Sequence, residues 1–71
     1  MEEKVLNIMK EVFGTDDIDE TVSQKNCEKW DSLAHLNLIV ELECEFNVSF
    51  EPEEIGKMTC FEKVCEFLKT K

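Results

Sequence analysis

The sequence contains no arginine, and all eight of its basic residues are lysines. Set against 17 acidic residues, they leave a formal net charge of −9. No lysine lies between Trp30 and Gly56, whereas seven carboxylates do. Such a field repels nucleic acid and anionic membranes and attracts basic protein surfaces. We therefore expect no nucleic-acid partner and predict partners rich in lysine or arginine.

The sequence also lacks an apolar run long enough to span a membrane, and it shows no secretion signal. Its four cysteines, at positions 27, 44, 60 and 65, form no Cys-x-x-Cys pair, which counts against a zinc site. An even number in a short chain allows a disulfide framework, but helices can bury thiols as small apolar groups. We favour reduced thiols, a cytoplasmic protein and no membrane insertion.

Only 71 residues are present, which is one domain over 1–71 with a single core and no room for a separate catalytic cleft. Two glycines and one proline interrupt the chain. A core of this size supplies about 3–5 kcal/mol. Marginal stability is expected.

The apolar residues near the N-terminus repeat with helical spacing, at Val5, Ile8, Met9, Val12 and Phe13. They predict a first helix that ends at Gly14. Residues 15–31 form a polar loop, long for so small a domain, in which Ile18, Val22 and Trp30 are expected to tuck against the helices.

A second helix is predicted from the helix-starting residues Asp31 and Ser32 to Phe46. On a helical wheel one arc faces the core: His35, Leu38, Ile39, Leu42 and Phe46. A second arc holds Leu33, Leu36 and Val40, with Ser32 and Glu43 between the two. That second arc is either a docking face or the edge of a wide core stripe, and the pattern leaves both open.

The remaining chain predicts an inward-facing connector, Val48 and Phe50, and a short third helix from Pro52 to Gly56. Thr59 and Glu62 have capping-box spacing for a fourth helix. Its inward stripe is Phe61, Val64, Cys65 and Leu68. The fold prediction is all-α: a small four-helix bundle with a short third helix and a long loop between helices one and two.

The run Asp31-Ser32-Leu33, heading a leucine-rich acidic helix, resembles the phosphopantetheine attachment motif of acyl carrier proteins and peptidyl carrier domains. The tripeptide is weak alone, but the resemblance extends over the whole chain in its helix order and length. Trp30 in front of the motif replaces the small residue of many fatty-acid carriers. This favours a free-standing carrier of a specialised pathway.

The resemblance implies a function. A phosphopantetheinyl transferase would attach 4′-phosphopantetheine from coenzyme A to Ser32, with Asp31 and Leu33 beside it. The arm would carry an acyl or aminoacyl thioester to loading and acyl-using enzymes with basic surfaces. The chain itself would be a monomer and not an enzyme. The partner-docking positions implied by the family are Leu36, Val40, Glu43 and Met58.

Three other classes compete with this reading. The spacing of the ligand positions in an EF-hand calcium loop is matched by Asp17, Asp19, Thr21, Ser23 and Glu28. However, Val22 occupies the position where the sharp turn of that loop needs glycine. Ser32 and His35 lie one turn apart, but no Gly-x-Ser-x-Gly elbow supports a hydrolase. An unmodified acidic helical adaptor that binds basic surfaces would share the bundle and differ only in chemistry.

Overall fold

The computed structural model describes all 71 residues as four helices without a strand. They are α1 (Glu2–Phe13), α2 (Ser32–Phe46), α3 (Pro52–Lys57) and α4 (Phe61–Lys69). The predicted small all-α bundle with a short third helix is confirmed, as is the long segment between α1 and α2. None of these helices has the length and apolar content needed to cross a bilayer.

Helix α1 forms and ends as its sequence predicts. Val5, Met9 and Phe13 are buried on one face. Gly14 then adopts the left-handed conformation, with φ 68° and ψ 33°, and its N–H donates to the Lys10 carbonyl at 2.9 Å. A side chain at a positive φ is strained, so glycine is the favoured residue at this stop.

The core is a single apolar cluster of buried residues from α1, α2, α4 and the connecting segments, with Ile55 of α3 packed against it. Leu38 and Leu42 of α2 are fully buried, and α1 packs against both α2 and α4. The inward stripe predicted for α4 is buried throughout: Phe61, Val64, Cys65 and Leu68. Val22 and Trp30 of the long loop complete the cluster, confirming that the loop covers the core.

The start of α4 differs from the prediction. Cys60, not Thr59, is the N-cap residue, and no side chain caps the helix, so the Thr59–Glu62 capping box is wrong. Cys60 is extended because it forms an antiparallel bridge with Ser23 of the long loop. Backbone hydrogen bonds of 2.9 and 3.0 Å flank this pair. Tertiary pairing therefore overrides the local capping signal.

Helix α3 also ends one residue later than predicted, since it continues through Gly56 to Lys57. None of its own residues is fully buried. Its first turn is held by the Glu54 carboxylate, which accepts from the N–H of Glu51 at 2.8 Å and from the Lys71 ammonium at 2.8 Å. These two partners, in that order, lower the pKa of Glu54. A few specific contacts, rather than a buried face, hold α3.

Candidate functional site

The N-terminus of α2 is built around Asp31. This residue is extended, with φ −93° and ψ −175°, and its Oδ1 accepts from the N–H of Ala34 at 2.8 Å. Its carbonyl accepts from the N–H of His35, also at 2.8 Å. Asp31 is therefore the N-cap, and Ser32 is the first residue of the helix.

Ser32 is exposed at this helix end. Its hydroxyl forms no hydrogen bond within the chain, and the N–H groups of Ser32 and Leu33 donate to no protein atom. Unpaired N–H groups and the positive end of the helix dipole favour an anion at such a position. The serine oxygen is free to react and lies where a phosphate can be accommodated.

A buried pair brackets Ser32. Trp30 and His35 occupy the positions before the cap and at the fourth helical residue, where hydrophobic staples form. Their ring centroids lie 6.0 Å apart, and the indole N–H donates to His35 Nδ1 at 2.9 Å. Because an indole N–H can only donate, Nδ1 must be the unprotonated nitrogen.

The other nitrogen of His35 reaches a different helix. Nε2 lies 2.8 Å from the carbonyl oxygen of Ile55 in α3, and it must carry the proton and donate. One imidazole thus connects the entry loop, the start of α2 and the middle of α3. The sequence pattern predicts that Trp30 and His35 lie near the core, but it did not predict the hydrogen bond between them. The staple spacing around Asp31 was the available signal.

The second arc of α2 is open to solvent. Leu33 is 69% exposed, Leu36 57% and Val40 56%, and with Met1 they are the exposed large apolar residues of the chain. The alternative of a wide core stripe is therefore wrong. Ser32 and this apolar arc lie together on the solvent side of α2, as predicted.

Two predicted docking residues have other roles. Met58 is fully buried, because the chain turns inward at the end of α3, so its inclusion in a docking surface is wrong. Glu43 is half-buried, and its Oε2 accepts from the N–H of Phe50 at 2.9 Å. Glu43 therefore fastens the connector between α2 and α3, and its role in docking stays a prediction.

The structure offers little support for the alternative calcium site or for a hydrolase built on Ser32 and His35. The Asp19 carboxylate is engaged by the hydroxyl and N–H of Thr21, which together lower its pKa. No group of three or more His, Cys, Asp or Glu residues is arranged to hold a metal ion. His35 is bonded at both nitrogens, to Trp30 and Ile55, and cannot take a proton from Ser32 without breaking one of these contacts.

No protein-family model and no curated protein matches this sequence.

Proposed function

We propose that this chain is an acyl carrier, with 4′-phosphopantetheine attached to Ser32 and an acyl or aminoacyl group carried as a thioester on that arm. The observation that supports it most is the exposed, unbonded serine hydroxyl at the first position of a 15-residue helix. The arm supplies the thiol, and the protein supplies its attachment point and a surface that partners recognise.

In the proposed modification, the Ser32 oxygen forms a bond to the phosphopantetheine phosphorus of coenzyme A. The pyrophosphate bond breaks, adenosine bisphosphate leaves, and the transferase takes the hydroxyl proton. Asp31 holds the helix start through Ala34, and the N–H groups of Ser32 and Leu33, which have no partner in the chain, could donate to the oxygens of the new phosphodiester.

The recognition surface in this proposal is the exposed arc of Leu33, Leu36 and Val40. No lysine lies between residues 30 and 56, so the helix that carries the arc has carboxylates and no basic residue other than His35. A transferase or acyl-using enzyme with an apolar patch edged by lysine or arginine is complementary to it. This supports basic-surfaced partners, and we propose a cytoplasmic, monomeric carrier of a specialised pathway.

The test is intact-protein mass spectrometry after incubation with coenzyme A and a broad-specificity phosphopantetheinyl transferase. Wild type is expected to gain one phosphopantetheine and Ser32→Ala none. Ser49→Ala is the matched control, since Ser49 is exposed but outside the helices, and it should gain one group. An equal gain by Ser32→Ala would place the attachment elsewhere.

The second candidate is an unmodified acidic helical adaptor, which the same exposed arc favours because it can bind a basic surface without any arm. A wild-type chain that stays unmodified under these conditions, yet binds a partner through Leu36, would support the adaptor.

A further inference from the structure

Ser32 is held between two residues that are themselves anchored in the core. Trp30 is buried and packs against Phe13, with ring centroids 5.1 Å apart. His35 is buried one turn into α2. The indole–imidazole hydrogen bond joins them across the helix start, with the exposed serine on the chain between them.

The two contacts at this helix start do different things. The bond from Ala34 to Asp31 closes the first turn upon itself and fixes nothing relative to the rest of the protein. The bond from Trp30 to His35 fastens that turn to the core, which sets the direction in which the chain enters the helix. Without it, Trp30 stays packed against Phe13, but no side-chain hydrogen bond fixes the indole relative to the first turn of α2.

We propose that Trp30 and His35 are positioning residues for the modification of Ser32. Their hydrogen bond fixes the serine hydroxyl relative to the exposed arc of Leu33, Leu36 and Val40, so that an enzyme docked on the arc meets the oxygen in reacting geometry. This inference rests on the proposed function, since it concerns the same hydroxyl. The bond to Ile55 holds α3 and is not required for the chemistry.

Three variants separate the two bonds of the imidazole. His35→Asn keeps an acceptor at the place of Nδ1 but is too short to reach Ile55. His35→Gln carries its amide one bond further out, so its N–H can reach the Ile55 carbonyl while its oxygen no longer lies at the place of Nδ1. Trp30→Phe keeps an aromatic ring and removes the N–H. The indole N–H resonance reports whether the hydrogen bond is present, and circular dichroism confirms that each variant is folded.

The measurement is kcat and KM of a phosphopantetheinyl transferase with each folded variant as substrate. Trp30→Phe and His35→Gln should lower kcat about tenfold, because a small displacement of a reacting atom has effects of this order. KM should stay within about twofold, because the docking arc is untouched. His35→Asn should restore kcat close to wild type. The double variant of Trp30→Phe and His35→Gln should be no slower than either single variant.

A purely structural role predicts lower unfolding midpoints with unchanged kcat in the folded protein, and that result overturns the inference. The inference is also overturned if His35→Asn has a kcat as low as that of His35→Gln, because the loss of kcat would then come from the contact with α3 or from loss of the imidazole ring. A wild-type chain that the transferase cannot modify overturns the proposed function and this inference with it. Wild-type modification with unaffected variants overturns the inference alone.

Discussion

The orientation of α2 can be tested by making one chemical change at two leucines on the same helix. Leu36 is 57% exposed in the arc beside Ser32, whereas Leu38 is fully buried against the other helices. Leu36→Ala and Leu38→Ala remove the same atoms two residues apart. If α2 is oriented as described, the first affects recognition and the second affects folding.

The expected magnitudes differ by several-fold. A buried leucine truncated to alanine costs about 2–5 kcal/mol, through lost transfer energy and the cavity left behind. A core of this size supplies only about 3–5 kcal/mol, so Leu38→Ala should leave much of the protein unfolded. Complete burial of leucine contributes about 1.5–3 kcal/mol, and Leu36 is less than half buried. Its truncation should cost below about 1 kcal/mol, partly offset by the higher helix propensity of alanine.

Urea denaturation followed by far-ultraviolet circular dichroism measures the first effect, and the initial rate of transferase modification measures the second. Leu36→Ala should unfold at nearly the same urea concentration as the wild type and be modified more slowly. Leu38→Ala should unfold at a much lower urea concentration. Equal destabilisation by both variants would mean that the arc is packed in the core. Unchanged stability together with an unchanged rate for Leu36→Ala would remove the arc from recognition.

Two further predictions concern groups that the fold has engaged. Glu43→Ala should lower the free energy of unfolding, measured by urea denaturation, by about 1–3 kcal/mol, because the Phe50 N–H loses its acceptor. Glu43→Gln should lower it less, and equal losses in the two variants would contradict this role for Glu43. Burial, and then the Glu2 carboxylate, raises the pKa of the Cys65 thiol above its ordinary 9.0. The unfolded chain ionises first as pH rises, so stability should fall above that value. Under reducing conditions, Cys65→Ala should reduce this loss of stability at alkaline pH, and the exposed Cys44→Ser should not. The same dependence of stability on pH in both variants would refute the assignment to Cys65.

Most of the helical architecture was predictable because its signals are local. The stripe from Val5 to Phe13, the stop at Gly14 and the inward face of α4 depend on periodicity and on one residue that tolerates positive φ. The start of α2 was predictable for the same reason, since an aspartate cap acts within one turn. Each of these features depends on residues at most a few turns apart.

The features that the sequence did not predict are those in which a residue contacts a partner distant in the chain. The start of α4 moved because Cys60 pairs with Ser23, and the capping signal at Thr59 carries no information about that pairing. Met58 looked like a continuation of the docking surface, but its burial depends on how the chain turns after α3. Glu43 lies on the predicted side of α2, yet its carboxylate is used by the backbone of Phe50.

The amino-acid order alone determined that this is a small acidic helical protein with a serine at the head of its longest helix, because composition, periodicity and capping act over short distances. Packing decided the rest: that the Ser32 oxygen stands free beside an open apolar arc, and that a buried tryptophan and histidine hold the turn beneath it. Side chains compete for core, solvent and hydrogen-bond partners only once the helices have met, so those choices exist only in the folded chain.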